Sequence, residues 1–182
     1  ACRCTAFGSR RMAPFPRKKE GSMHITDFND DVVLRRAAEI LQAKIKRADA
    51  PVFSDCKTLK QYLQYRLVRE DREGFFVLYL NSQHRLIHTE ILFAGGLTSC
   101  QVEPRIVLKR ALEQNAAAIV IAHNHPNGKT HPSEADKNLT RHLQDTLALI
   151  DVRLLDHFIV GNDVLSFAEQ GLLWRSSFPL CC

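Results

Sequence analysis

Two histidines and an aspartate in the second half of the chain have the residue types and the spacing of a metal site. His123 and His125 follow a short apolar run, and Asp136 comes eleven residues after the second histidine. In an extended strand, residues two apart face the same side, so both imidazoles are expected to point into one space. Two imidazoles and one carboxylate are a typical ligand set for a catalytic zinc ion, which keeps its fourth position for water. The sequence therefore predicts one Zn²⁺ per chain.

The segment between the histidines and the aspartate explains how these side chains could meet. Pro126 and Gly128 end the strand and turn the chain, and a helix predicted to begin at Ser133 places Asp136 one turn into it. Ser133 and Asp136 also match a helix capping box, an ordinary structural feature, although that box prefers Glu or Gln at the later position. A serine that caps the helix is compatible with an aspartate that binds metal, so both interpretations stand.

The apolar pattern predicts four helices and five strands around this segment. Helices and strands alternate without a strict βαβ rhythm, which favours an α+β (mixed α/β) fold built on one central sheet. The first predicted helix begins at Asp30 or Asp31, and the second follows a Ser54-Asp55 cap. The third covers 103–115, and the fourth begins at 133. The predicted strands cover 75–80, 86–93, 116–122, 152–160 and 164–167.

The composition is that of a folded globular domain. The 182 residues are 45% hydrophobic and 25% charged, which excludes a disulfide-stapled miniprotein, a repeat array and a largely disordered chain. No apolar run approaches the roughly 20 residues that a membrane-spanning helix needs. We therefore predict no membrane association.

The net charge of +5 is confined to the N-terminus. Residues 1–21 hold six basic residues and one acidic residue, which leaves 19 basic and 19 acidic residues in the rest of the chain. A domain without net charge is poorly suited to bind a phosphate backbone non-specifically. Nucleic acid is therefore a weakly supported partner, for which the candidate basic patch consists of Arg105, Lys109, Arg110, Lys129, Lys137 and Arg141.

The cysteines do not form the pattern of a disulfide framework. Four of the six lie at the chain ends, only Cys56 and Cys100 lie inside the globular part, and no C-x-x-C spacing suggests structural zinc. Reduced thiols are typical of cytoplasmic proteins, and residues 1–22 lack the apolar core of a secretory signal. The sequence predicts a cytoplasmic protein.

Shifts in composition divide the chain into four segments. Residues 1–26 are predicted to be a basic, disordered N-terminal extension, and residues 27–50 an N-terminal helix. Residues 51–174 are predicted to form the metal-binding domain, and residues 175–182 a C-terminal tail.

The spacing His123-x-His125-x₇-Ser133-x-x-Asp136 resembles the motif of the JAMM metalloenzymes, which are also called JAB or MPN domains. Three flanking segments, 76–81, 122–126 and 155–161, are similar to the RadC-like branch of that family, and the resemblance covers roughly residues 52–173. Asn127 stands where this branch usually has a serine. The sequence shows no helix-hairpin-helix region before the helix that follows Ser54. In this respect the chain resembles the short, prophage-type members of the branch.

The resemblance implies a fold and two further site residues. The fold is the three-layer arrangement shared with cytidine deaminases, in which helices flank a central mixed sheet. In the family a serine stabilises the oxyanion, and Ser133 matches that serine. A glutamate before the first motif strand polarises the metal-bound water, and we assign this role to Glu73. Glu70, in the charged connector, and Glu90, midway along a strand, are its rivals. The alternative interpretation of Glu73 is an ordinary solvated charge in the highly charged segment 69–73.

The same resemblance implies an enzyme. The first hypothesis is zinc-dependent hydrolysis of an amide bond in a peptide or protein substrate. The alternatives are a DNA-associated accessory protein or nuclease that uses the same metal site, and a binding module without catalysis. Asp156 and His157 could support a metal ligand by hydrogen bonding or could be an ordinary packed pair, and we leave both outside the predicted site.

Overall fold

The computed structural model of the chain describes residues 30–47, 56–67, 70, 72–95 and 102–173. The predicted N-terminal extension, the C-terminal tail and the Ser54-Asp55 cap lie outside these residues. The described elements, in chain order, are α1 (Asp30–Arg47), α2 (Cys56–Leu67), β1 (Gly74–Leu80), β2 (Leu86–Ala94), α3 (Pro104–Glu113), β3 (Ala118–Asn124), α4 (Glu134–Ala148), β4 (Arg153–Val160) and β5 (Val164–Ser166).

The five strands form one mixed sheet in the order β2-β1-β3-β4-β5. Strands β3 and β4 are parallel and are joined by α4, whereas every other neighbouring pair is antiparallel. Buried residues of α1 and α2 pack on one face of the sheet, and those of α3 and α4 pack on the other. The result is a three-layer α+β fold, as predicted.

The two central strands are buried along their whole length. All seven residues of β1 and all seven of β3 are buried, since helices cover both faces of the sheet. Alternation along each strand sorts the side chains between the two cores: Phe75 and Val77 join the α3–α4 core, whereas Phe76 and Leu78 join the α1–α2 core. A continuous apolar run is therefore what these positions require.

Strand β3 lies two residues later than the predicted range 116–122. Asn115 adopts a left-handed conformation (φ 50°), which ends the preceding helix and delays entry into the sheet. At the other end the ladder to β4 continues through the pairs His123–Ile159 and Asn124–Val160. The first predicted ligand therefore lies inside the sheet and not just beyond it. The same turn shortens α3, which ends at Glu113 where the sequence predicted 115.

Among the described residues, no helix is both long enough and apolar enough to cross a membrane.

Candidate metal centre

The structure brings the three predicted ligands together. The Nε2 atoms of His123 and His125 are 3.0 Å apart. Asp136 Oδ1 lies 3.3 Å from His123 Nε2, and Asp136 Oδ2 lies 3.8 Å from His125 Nε2. Strand β3 supplies the first histidine, the turn that follows it supplies the second, and the first turn of α4 supplies the carboxylate. This group could hold a metal ion.

The spacing of these atoms fits a small tetrahedral ion. Bonds of about 2.0–2.1 Å at tetrahedral angles place neighbouring ligand atoms about 3.3 Å apart. The observed separations of 3.0, 3.3 and 3.8 Å bracket that value. Two nitrogen donors and one carboxylate also form a donor set that leaves one of four positions open.

His125 presents a lone pair to the other ligands. Its Nδ1 lies 2.7 Å from the carbonyl oxygen of Lys129. A carbonyl can only accept, so Nδ1 carries the proton and Nε2 is free to bind a cation. The loop is held against β4, because the His125 amide donates to the Val160 carbonyl at 2.8 Å. Gly128 (φ 74°) permits this turn, since a Cβ there would lie 2.7 Å from the Asn162 side chain.

Asp136 uses its two carboxylate oxygens differently. Oδ2 accepts hydrogen bonds from the Ser133 backbone amide and from the Ser133 hydroxyl, both at 2.7 Å. The Asp136 amide donates to the Ser133 hydroxyl oxygen at 3.1 Å, which completes a capping box at the start of α4. Oδ1 is left to face His123. The predicted coexistence of a capping serine and a metal-facing aspartate is therefore what the structure contains.

Burial keeps His123 and His157 neutral. His123 is 7% exposed. Desolvation lowers its pKa to about 4, an effect that the Asp136 charge partly offsets and His125 reinforces. Complete burial, reinforced by the nearby His123 and His125, also lowers the pKa of His157 well below its usual value. A neutral imidazole is the form that binds metal.

The lowered pKa of His123 predicts acid sensitivity of the metal-free protein. The pKa is about 4 in the folded state and 6.5 in the reference state, so between these values the unfolded chain binds more protons. The free energy of unfolding should therefore fall as pH falls, by about 2 kcal/mol from His123 alone between about pH 7 and pH 5. Urea denaturation in EDTA at the two pH values measures this loss. In His123→Gln the loss of unfolding free energy between the two pH values should be about 2 kcal/mol smaller than in the parent. An equal loss in both proteins would contradict the lowered pKa of His123.

The three candidate glutamates have different surroundings. Phe75 of β1 pairs with His123 of β3, so the same antiparallel register continued by two residues places Glu73 opposite His125. Glu90 instead accepts hydrogen bonds from the Tyr79 hydroxyl and from two guanidinium nitrogens of Arg110, all at 2.8 Å. Those contacts hold Glu90 to α3, away from the ligands.

The third candidate, Glu70, contacts a residue of α2. The Glu70 carboxylate lies 3.6 Å from the Arg66 guanidinium, one helical turn earlier in the chain. Its rival Glu73 is half-buried, and the Glu73 carbonyl accepts from the Gly95 amide at 2.7 Å, which ties the start of β1 to the end of β2. Of the three, Glu73 is the one whose backbone register leads towards the ligands.

Asn124, between the two ligand histidines, has a role that the sequence analysis missed. Its side chain is 2% exposed and points to the opposite face of the sheet from His123. Oδ1 accepts from the Gly74 amide at 2.7 Å, and Nδ2 donates to the carbonyls of Glu70 and Arg72, both at 3.0 Å. Strict alternation along β3 was the signal that could have revealed it. Asn124 fastens the segment that carries Glu73 to the strand that carries the ligands.

We predict that Asn124→Ala lowers the free energy of unfolding by about 3 kcal/mol, because one buried backbone amide and two partly buried backbone carbonyls lose their partner. Chemical denaturation monitored by circular dichroism measures this change. The matched control is Asn127→Ala, in which an exposed asparagine loses one local bond to the Lys129 amide (2.9 Å). We expect that control to lose less than about 1 kcal/mol. Equal losses in the two variants would show that the Asn124 contacts contribute little.

The pair Asp156 and His157, left outside the predicted site, divides between two tasks. The His157 Nε2 lies 2.8 Å from the His123 Nδ1, so His157 does contact a ligand. Asp156 is directed elsewhere: its carboxylate accepts from the Ser166 hydroxyl at 2.6 Å and from the Ala168 amide at 2.9 Å. Asp156 therefore holds β4 to the end of β5 and to the segment that follows it.

Comparison with known proteins places this arrangement in a family. The model of the RadC-like JAB domain matches residues 53–172. A UPF0758 protein of Leptothrix cholodnii is 57% identical over 127 residues, which cover 69% of this chain and 57% of that protein. A UPF0758 protein of Vibrio campbellii is 47% identical over 171 residues, covering 91% and 75%. One of Vibrio cholerae is 46% identical over 141 residues, covering 78% and 88%.

These relatives differ in length, and the chain spans 57% of the Leptothrix protein but 88% of the Vibrio cholerae protein. The prophage-type assignment therefore stays a prediction. The matched region contains β1 to β5 and all three metal-facing side chains. The chain belongs to the RadC-like JAB domain family.

Proposed function

We propose that the protein is a zinc-dependent hydrolase that cleaves an amide bond in a peptide or protein substrate. The observation that carries this proposal is the convergence of His123, His125 and Asp136 at separations of 3.0 to 3.8 Å. Three protein ligands with one open position are typical of catalytic zinc, whereas structural zinc sites use four protein ligands. Family membership supports the same choice by analogy.

His123, His125 and Asp136 would hold the zinc, which supplies a Lewis acid and makes a water acidic near neutral pH. Glu73 would accept the proton of the attacking water and return it to the nitrogen of the leaving amine. The position of Glu73 opposite His125, inferred from the register of β1 and β3, supports this role. The balance of the reaction is one water consumed for one amide bond cleaved.

Ser133 would stabilise the oxyanion that forms on the substrate carbonyl. In the structure its hydroxyl donates to Asp136 Oδ2, and its oxygen accepts from the Asp136 amide. The role therefore requires that the hydroxyl turn away from the carboxylate when substrate is present. Ser133 is exposed, which leaves room for that rotation.

The test is a cleavage screen with the purified full chain. The protein is assayed zinc-loaded, stripped with EDTA, and stripped then reloaded with zinc, against a pool of tryptic peptides and isopeptide-linked model peptides. We expect new termini, detected by mass spectrometry, in the first and third states only. Cleavage that persists after zinc removal would contradict the proposal, as would zinc-loaded protein that cleaves no member of the pool.

A role with nucleic acid has less support. Four of the six residues of the candidate basic patch form ion pairs with glutamates: Arg105 with Glu103, Lys109 with Glu113, Arg110 with Glu90 and Lys137 with Glu134. Such pairing reduces the positive charge offered to a phosphate backbone. Plasmid DNA can be assayed in the same three states. Nicking by the zinc-loaded and reloaded protein, but not by the stripped protein, would favour the nuclease alternative.

The non-catalytic alternative has the least support, because a complete set of metal-facing side chains is present.

We also propose a cytoplasmic location. The six cysteines of the sequence do not form the pattern of a disulfide framework, which suits a reducing compartment.

A further inference from the structure

A chain of hydrogen bonds runs behind the metal-facing side chains. His123 Nδ1 lies 2.8 Å from His157 Nε2, and His157 Nδ1 lies 2.6 Å from the Thr140 hydroxyl oxygen. That hydroxyl lies 2.6 Å from the backbone carbonyl oxygen of Asp136. The chain thus begins at one ligand on β3, crosses β4 and α4, and ends at the backbone of another ligand. His157 and Thr140 are buried, at 0% and 2% exposure.

The direction of every proton in this chain follows from its far end. The Asp136 carbonyl can only accept, and two oxygens 2.6 Å apart repel each other unless a proton lies between them, so Thr140 donates its single proton there. The Thr140 oxygen must then accept from His157 Nδ1. A neutral His157 protonated on Nδ1 has a lone pair on Nε2, which accepts from His123 Nδ1.

This arrangement leaves the lone pair of His123 on Nε2, the atom that faces His125 and Asp136. The other neutral tautomer would put a proton on Nε2 and block a cation from that position. A histidine ligand is commonly held in one tautomer by the partner of its second ring nitrogen. Here that partner is a second histidine, whose own tautomer is set by a threonine.

We propose that His157 is a positioning residue that, oriented by Thr140, holds His123 in the Nδ1-protonated tautomer needed to bind metal. The proposal rests on the proposed metal site and goes beyond it, because His157 and Thr140 lie behind the three metal-facing side chains and are not among them. The ring of His157 is further held by stacking on Phe167, with ring centroids 4.6 Å apart. Rotation of His157 away from His123 is therefore restricted.

The experiment compares the full-length parent with Thr140→Val and Thr140→Ser. Valine keeps the shape of threonine and removes the hydroxyl, whereas serine keeps the hydroxyl. Zinc affinity is measured by competition with a chromophoric chelator. We expect roughly 10-fold weaker binding in Thr140→Val, the lower end of what such partners contribute, and binding within about 2-fold of the parent in Thr140→Ser. Parent-like affinity in Thr140→Val would overturn the proposal.

A second readout does not need metal. Nitrogen-15 NMR of the histidine rings in the EDTA-treated protein distinguishes the two neutral tautomers directly. We expect His123 to be protonated on Nδ1 in the parent and in Thr140→Ser, and to become a mixture of tautomers in Thr140→Val. A parent His123 protonated on Nε2 would overturn the inference, whatever the zinc affinity.

The two readouts also separate this inference from the proposed function. A parent that shows the expected tautomer but takes up no zinc would contradict the hydrolase proposal and leave the role of His157 as an orienting partner intact. If the parent binds zinc and Thr140→Val binds it with the same affinity, the metal site would stand and the positioning role of His157 would be contradicted. The His157→Gln variant, in which the amide oxygen can still accept from His123, should keep more zinc affinity than His157→Phe, which offers no acceptor.

Discussion

The purified Asp136→Ala variant is expected to hold less than about one tenth of the zinc bound by the parent, for which we expect one ion per chain. Removing a ligand should cost at least the roughly 100-fold in affinity that marks the upper end for residues that only support ligands. The Asp136 Oδ1 atom, 3.3 Å from His123 Nε2, is the one carboxylate oxygen that the capping box leaves for a metal. Elemental analysis after gel filtration measures the ratio.

The control for this variant is Ser133→Ala. Both substitutions break the capping box at the start of α4, and each should cost about 1 kcal/mol of stability. Only Asp136→Ala removes the metal-facing oxygen, so Ser133→Ala should keep parent-like zinc. Zinc retained in both variants would mean that Asp136 is a helix cap and not a ligand. Zinc absent from the parent, even after addition, would remove the metal site altogether.

The Glu73→Gln variant is expected to keep the zinc of the parent and to lose about 10²- to 10⁴-fold in kcat, the range that a general base contributes. Glutamine has nearly the same shape as glutamate but cannot take a proton from water. The basis for this choice is the register of β1 and β3, which reaches a Glu73–His125 pair when continued two residues beyond Phe75–His123. The measurement is the cleavage rate of a peptide found in the zinc-dependent screen, with metal content determined on the same samples.

Two further glutamates serve as controls for that assignment. Glu70→Gln weakens the contact with Arg66, which lies 3.6 Å away in α2, so its kcat should stay near that of the parent. Glu90→Gln weakens the contacts with Arg110 and Tyr79, so we expect lower stability with kcat largely kept. A normal rate in Glu73→Gln, together with a large loss in either control, would move the base to that residue.

Several local features follow from the sequence because they depend on neighbours along the chain. The period of two in extended backbone predicts that the imidazoles of His123, in β3, and His125, just after it, face the same side. The Ser133-x-x-Asp136 spacing predicts the start of α4. The apolar runs of β1 and β3 predict strands covered on both faces. In each case a few consecutive residues determine the geometry.

The strand ends were predicted less well because they depend on contacts with distant segments. His123 and Asn124 remain in the sheet because β4 pairs with them, and β4 lies about 35 residues further along the chain. The sequence placed the end of the strand before His123. Pairing partners outside the local segment decided the difference.

The choice among the glutamates also needed the tertiary structure. The sequence favours Glu73 because it precedes a strand, but it does not reveal that Glu90 has Arg110 of α3 as a partner. The register between β1 and β3, continued by two residues, then brings the backbone of Glu73 opposite that of His125. Register is a property of two paired strands, so neither strand alone determines it.

The sequence by itself determined the types and spacing of the metal-facing residues and the α+β fold class, since these follow from chemistry and periodicity along the chain. The three-layer arrangement was implied by the family resemblance. The tertiary structure alone decided which groups support the ligands: Asn124 joins three backbone groups at least 50 residues away, and His157 and Thr140 complete a chain behind His123. A buried polar group must find a hydrogen-bond partner, but any suitable donor or acceptor satisfies that demand. Only the packing of β3 against β1, β4 and α4 selects which residue fills the role.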